Sequence, residues 1–266
     1  MALQQINQIY GISQLQSMYK AKGVAYIISW LHRISGVLLI LYVLIHINTL
    51  ASLTRPEEFA QKAQMFSGFF PMTLEWLLAV PVIFHALNGG RLLLYELFGT
   101  RWDKRILSWV IALAAGYMLI LGYFMVLGNQ QVSAHFFWLN VVICSGIISY
   151  IVITKILKTR ASIAWKLQRI SAAFMFLVVP AHMLFMHLNH QVGRDPQIIL
   201  ERMNQPFIKF VDILLLLSIL YHGGYGLLGI GNDYISAKRK RLAFTILVVL
   251  ILVLFALKGI YLIAAI

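Results

Sequence analysis

Four histidines lie inside apolar runs long enough to cross a bilayer. They form two pairs: His46 with His182, 136 positions later, and His85 with His222, 137 positions later. Imidazole in hydrocarbon is costly, and where it occurs it ligates a metal, relays a proton or bonds a neighbouring helix. A single such histidine is as readily a packed side chain as a ligand. Packing gives no obvious reason to keep the same residue type at matched positions of two copies, so the four read as ligands. At about 1.5 Å rise per residue, His85 and His222 lie roughly 18 Å from the inner helix ends near Glu96 and Asp233, and His46 and His182 lie roughly 25 to 30 Å deep, toward the outer face. Each pair can supply two axial imidazoles to a haem between the copies. Zinc fits poorly, because two histidines per depth with no carboxylate or thiolate beside them do not make a tetrahedral set. Gly89, Gly90, Gly223, Gly224 and Gly226 adjoin the inner pair and would let a flat macrocycle approach the backbone, although small residues also recur wherever transmembrane helices pack closely. The single cysteine, Cys144, excludes an internal disulfide, a thioether-linked haem and an iron-sulfur site, so any metal is held by histidine.

The elements that must position these side chains form a tandem duplication. Around His46, the stretch 26–50 carries Trp30, Arg33, Ile34 and Ser35, which return as Trp165, Arg169, Ile170 and Ser171, while His32 is replaced by Gln168. Around His85, Gly89 matches Gly226 and Glu96 matches Asp233. Apolar windows give seven spans, at about 26–50, 72–97, 106–128, 135–157, 166–190, 208–231 and 242–264, each near the ~20 residues a bilayer needs. Helix is the only sensible state for them, since lipid leaves no partner for a free backbone group and the alternation of a membrane barrel is absent. The expected fold is an all-α integral membrane protein of about seven transmembrane helices. It comprises a cytoplasmic N-terminal segment (1–25), a three-helix repeat (26–128), a joining helix with its connections (129–165) and a second three-helix repeat (166–266). Two parallel copies of a three-helix unit need one extra crossing, which the fourth span supplies; an axis along the membrane normal then encourages a site between the copies.

Composition agrees. With 61% hydrophobic and 12% charged residues, the solvent of this chain is lipid. The net charge of +13 does not indicate nucleic acid, because Lys and Arg gather at the ends of apolar runs. One set of connections holds Lys20, Lys22, Arg101, Lys104, Arg105, Lys155, Lys158, Arg160, Lys166 and the run 238–241; the other set is much poorer. That asymmetry puts the N-terminus in the cytoplasm and the C-terminus outside. Residues 1–19 lack the short apolar core of a secretory signal, so the first span is expected to be retained.

The pattern Ser29, His32, Arg33, Ser35, Gly36 and His46 resembles the first helix of the large cytochrome b anchor subunit of succinate:quinone oxidoreductases, the succinate dehydrogenase and fumarate reductase complexes. His85 with Asn88, Gly89 and Arg91 resembles its second helix. His222, Gly226, Asp233 and Tyr234 resemble the signature of the small anchor subunit, so the chain looks like a fusion of the two. The resemblance implies haem b axially ligated by His85 and His222 (inner), a second haem b on His46 and His182 (outer), and quinone, menaquinone or ubiquinone, near Ser29, Arg33, Asp233 and Tyr234. His32, Arg33 and Arg169 are implied as haem-propionate contacts. The chain carries no flavin or iron-sulfur motif, so the resemblance also implies partners, a flavoprotein (FAD) subunit and an iron-sulfur subunit, in the inner membrane of a prokaryote, with a higher oligomer of the complex open.

Other readings fit the same residues: the cytochrome b anchor of another respiratory enzyme, a transporter with histidines as proton relays, or a haemless anchor. His135, His187 and His190 end spans at the outer face, where solvated histidines are common, although His187 or His190 can also serve an outer quinone or replace His182. Trp76, Trp102, Trp109, Trp138 and Trp165 read as interfacial belts.

Overall fold

Hydrocarbon forces each crossing segment to satisfy its backbone internally, and every regular element among the described residues is helical. The structure, a computed structural model, describes residues 12–65, 68–99, 105–112, 115–116, 119, 134–187 and 193–266. In chain order the helices are α1 (Ile12–Leu50), a short 3-10 turn (Ala51–Thr54), α2 (Pro56–Met65), α3 (Phe69–Phe98), α4 (Ala134–Ile156), α5 (Ile163–His187), α6 (Pro196–Met203), α7 (Pro206–Tyr234) and α8 (Lys238–Ala265). Six candidate crossings lie among the described residues: Gly23–Thr54, Trp76–Phe98, Trp138–Ile156, Ile163–Met183, Pro206–Tyr234 and Lys238–Ala265. They coincide, within a few residues, with six of the seven expected spans. The remaining one, 106–128, lies largely outside the described residues, although 105–112 are helical. The chain is an all-α, multi-pass membrane protein.

The first crossing begins at a break. Gly23 has φ 75° and ψ 175°, a conformation open to glycine and strained for other residues, and it separates 12–22 from the membrane span. At the opposite end of the bundle lie the two short helices α2 and α6. Each has one apolar side: Phe59 and Ala63 on α2, Ile199 and Met203 on α6, all buried in one cluster with Ile40, Ile47, Leu53, Leu216, Leu220, Leu262 and Ile263. On the polar side of α2, Lys62 donates to Glu58 at 2.7 Å, which holds the Glu58 carboxyl below its usual range. α6 starts where Asp195 Oδ1 accepts from the N–H groups of Gln197 and Ile198, with Pro196 supplying a helical φ at the first position.

The joining helix α4 is fastened to α5 by Ser145, whose hydroxyl donates to the Phe174 carbonyl at 2.6 Å. Trp138 was expected in an interfacial belt. It is instead buried, 4% exposed, against Val178, Ala181 and Val211. The reason is position: one turn into α4, its ring meets a gap between α5 and α7 and not the headgroups. Trp165, only partly buried, lies under the Arg169 guanidinium, 4.4 Å from it. Leu247, Leu250, Leu254 and Leu257 of α8 are exposed and form its lipid-facing side.

Close approach of α7 and α8 depends on Gly259, where a Cβ would come within 2.6 Å of Leu216 Cδ2. Gly259→Ala should destabilise the protein by about 1–3 kcal/mol. Gly146→Ala, where a Cβ meets nothing within 4 Å, should be neutral or stabilising by up to about 1 kcal/mol. Thermal unfolding in detergent compares the two; equal effects would contradict the tight α7–α8 contact.

Candidate functional site

α1, α3, α5 and α7 surround a cavity of about 580 Å³ lined mainly by aliphatic side chains, with α8 contributing Leu262 and Ile263. All four repeat-matched histidines line it, as do His32, Arg33, Gln168, Asp212 and Asp233. On α7 the lining residues Asp212, Leu215, Ile219, His222, Gly226 and Asp233 follow helical spacing, one continuous stripe. From Asp212 to Asp233 that stripe is roughly 31 Å long at 1.5 Å per residue, close to the ~30 Å thickness of a hydrocarbon core.

The inner pair is oriented by the helices beside it. His85 Nδ1 lies 3.1 Å from the His32 carbonyl and 3.1 Å from Ser35 Oγ, which itself donates to the His32 carbonyl at 2.9 Å. His222 Nδ1 lies 3.3 Å from the Gln168 carbonyl, and Ser171 Oγ donates to that same carbonyl at 2.9 Å. His32 and Gln168 are repeat counterparts, as are Ser35 and Ser171, so the same backbone acceptor serves both copies and the side-chain change from His to Gln is immaterial to it. A carbonyl only accepts; Nδ1 therefore carries the hydrogen and Nε2 keeps its lone pair. A metal-ligating imidazole is ordinarily held in this way. The rings of His85 and His222 are 6.1 Å apart, centroid to centroid, at 87°. Gly36 makes the room: a Cβ there would come within 3.0 Å of His85 Cε1.

The outer pair repeats the arrangement. His46 and His182 are 6.2 Å apart at 87°, with Tyr42 stacked on His46 at 5.6 Å and Trp138 at 6.5 Å from His182. Two imidazoles bound from opposite faces of one metal, each nitrogen at about 2.0–2.1 Å, put their ring centroids roughly 6.4 Å apart. Both pairs come close to that spacing. Among the described residues no group of three or more His, Cys, Asp or Glu side chains is placed to hold a metal. The donor set thus suits an ion whose other ligands come from a macrocycle, not a protein-only zinc site.

At one end of the cavity the two repeats exchange ion pairs. Arg33 on α1 meets Asp233 on α7 at 2.9 Å and donates to the Tyr234 hydroxyl at 2.9 Å, with Trp30 against the Tyr234 ring at 5.6 Å. The counterpart Arg169 on α5 binds Glu96 on α3 through two nitrogens, at 2.7 and 2.8 Å, and Gln168 through the third at 2.6 Å. Arg33 lines the cavity; Arg169 does not. Of the expected site residues, Arg33, Asp233 and Tyr234 come together, whereas Ser29 faces outward, exposed, and is not part of the cavity wall. His32 stacks on His85 at 4.0 Å and 6°. His190 lies outside the described residues, as do the side chains of His135 and His187.

Asp212 was missed by sequence reasoning. The signal was present: Glu75 and Asp212 stand 137 positions apart, each ten residues before its inner histidine.

Comparison with known proteins fits this geometry. The family model described as "Succinate dehydrogenase/Fumarate reductase transmembrane subunit" matches residues 11–126 and 153–256. The unmatched interval, 127–152, falls within the connection and joining helix between the repeats. The chain is 34% identical over 105 residues, 39% of its own length and 89% of the relative's, to a succinate dehydrogenase hydrophobic membrane anchor subunit of Archaeoglobus fulgidus. That relative is therefore less than half as long as this chain. No solved structure matches at comparable stringency.

The two ion pairs differ in exposure, 36% and 53% for the side chains of Arg33 and Asp233 against 19% and 35% for Arg169 and Glu96. Asp233→Asn should accordingly change stability by less than about 1 kcal/mol. Glu96→Gln, which breaks a two-pronged and more enclosed contact, should cost about 1–3 kcal/mol. Thermal midpoints of the two variants check the order.

Proposed function

Because the chain belongs to the family of succinate dehydrogenase/fumarate reductase transmembrane subunits, we propose that it anchors such a complex in the membrane and is its cytochrome b. It holds two haems b and a quinone in the cavity between its halves and carries electrons between an iron-sulfur subunit and the quinone pool. The observation that carries this reading is the pair of matched imidazole couples, 6.1 and 6.2 Å between centroids, astride one apolar cavity. His85 and His222 would hold the inner haem, and His46 and His182 the outer one. When bound, such a group would supply one-electron transfer, with a potential set by the imidazoles that hold it and the dryness of the site.

The chain's own residues then do three things. The backbone carbonyls of His32 and Gln168 fix the tautomer of the inner imidazoles. Aliphatic walls exclude water, which keeps electrostatic effects strong. At the inner end, Arg33 and Tyr234 present a guanidinium and a phenol that can donate to a quinone carbonyl, and Asp233 holds the guanidinium in place and can take or give the proton that quinone chemistry needs. Arg33 and His32, which line the cavity, are the candidates for propionate contacts; Arg169 has its three nitrogens engaged within the protein and acts mainly as a clasp. Dicarboxylate chemistry belongs to flavin- and iron-sulfur-bearing partner subunits. The basic inner connections support a cytoplasmic N-terminus, and the two matched segments support two parallel repeats with a joining helix; we place the complex in the inner membrane of a prokaryote.

Absorbance spectra and haem content of purified variants test this. His85→Ala should lose one haem and His46→Ala the other, each leaving one low-spin spectrum; either variant with full haem content would refute its assignment. Tyr234→Phe should raise the quinone KM by about three- to tenfold, the worth of one hydrogen bond, with haem content unchanged.

A further inference from the structure

Asn88 lies on α3 one turn from His85 and is 1% exposed, yet neither its Nδ2 nor its Oδ1 has a hydrogen-bond partner among the described residues. A buried amide in that state opposes folding unless something satisfies it. Asn88 is not part of the wall of the cavity between the repeats, which on this turn of α3 runs from His85 and Ala86 to Gly89. A second buried nitrogen without a partner lies beside the same turn, His32 Nδ1 on α1. The His32 ring stacks on His85 at 4.0 Å, and a Cβ on Gly89, the residue after Asn88, would come within 3.7 Å of His32 Cε1, the carbon bonded to Nδ1. Unsatisfied groups from two helices thus meet at one turn. In the second repeat both are replaced, Asn88 by Tyr225 and His32 by Gln168, while the flanking His222 and Gly226 match His85 and Gly89. The two positions differ together between the copies, as partners in one contact would.

We propose that the seam between α1 and α3 binds an ordered internal water, held between the Asn88 amide and His32 Nδ1. The donor inventory selects water. Oδ1 accepts and Nδ2 donates, so the ligand must do both. An anion, which the buried Arg91 one turn further along α3 would otherwise favour, leaves Oδ1 unpaired, and a cation leaves Nδ2 unpaired. Water pairs with a primary amide in a ring: its oxygen accepts from Nδ2 while one O–H donates to Oδ1. The second O–H is then left for the lone pair of His32 Nδ1, and all three groups are served by one molecule, within the two to four partners that internal waters ordinarily have. His32 in that arrangement carries its hydrogen on Nε2, the reverse of His85, whose Nδ1 faces the His32 carbonyl. The two stacked rings thereby differ in use: His85 keeps a lone pair on Nε2, and His32 has an N–H to donate. The water site stands whether or not the cavity holds haem or quinone.

The test uses the purified whole complex, as wild type, Asn88→Leu, His32→Leu and the double variant, with electron cryomicroscopy fine enough to show ordered water and with thermal unfolding. The wild-type map should hold one solvent peak at about 2.7–3.2 Å from both Asn88 amide atoms and from His32 Nδ1. Asn88→Leu, which keeps the branching without the polar atoms, should lose the peak and lower the unfolding midpoint by about 3–6 °C. In the His32→Leu background the same change should lower it by less than half as much, because the shared water has already lost a partner. A wild-type map without a peak at the amide would overturn the proposal, as would a peak that touches Nδ2 alone, the mark of an anion. A midpoint raised by Asn88→Leu would also overturn it, since a dry amide gains from losing its polar atoms; equal losses in the two backgrounds would remove His32 from the site and overturn the bridge. Where Asn88→Leu does not assemble, the wild-type map decides alone.

Discussion

A histidine carried into hydrocarbon has two ring nitrogens to satisfy, and in this protein the neighbouring helix satisfies one of them. The carbonyl at position 32 takes His85 Nδ1, and its counterpart at position 168 takes His222 Nδ1. From that contact the rest follows. Each carbonyl belongs to the first helix of a repeat and each imidazole to the second, so the bond fixes the packing of the two helices as well as the tautomer. The serine one turn on, Ser35 or Ser171, donates to the same oxygen and tightens the turn that presents it. Gly36 leaves space for the ring. With Nδ1 engaged outward, the free nitrogens of two repeats are left to a shared cavity, and the apolar wall makes any metal bound there a dry, low-dielectric centre.

The duplication explains why there are two of everything except an open inner end. Ion pairs cross between repeats, Arg33 to Asp233 and Arg169 to Glu96, as a two-fold relation between copies would require. Yet the copies have diverged in use. Arg169 is packed on Trp165, with all three of its nitrogens taken by Glu96 and Gln168. Arg33 keeps donor capacity facing the cavity and has a phenol and an indole beside it. One copy thus clasps the bundle, and the other offers chemistry. Such asymmetry is open to a fused chain and closed to a symmetric dimer.

Much of this was legible in the sequence because membrane helices leave few choices. Six spans and the four histidines follow from apolar length and from matched displacement. What was not legible depended on depth and rotation about helix axes. Ser29 belongs to the motif yet is exposed, because it lies a full turn before Arg33, beyond the first α1 residues that line the cavity. The contact at position 168 was not legible either, because it is made by the backbone carbonyl, which the change from histidine to glutamine leaves in place. Trp138 read as a belt residue since sequence gives distance from a helix end but not which neighbours close over it. Asp212 was hidden in an apolar run, and only its match to Glu75 distinguished it. The stretch 106–128 lies largely outside the described residues, so the seventh crossing rests on its apolar length alone.

The most direct test of the central claim is the haem-to-protein ratio of the purified complex, by pyridine haemochrome assay combined with a redox titration. Two haems b per chain, titrating at separate potentials, are the predicted result, since the two imidazole pairs lie at different depths in the cavity. A complex that is pure, assembled with its partner subunits and free of haem would contradict it, and would return all four histidines to packing.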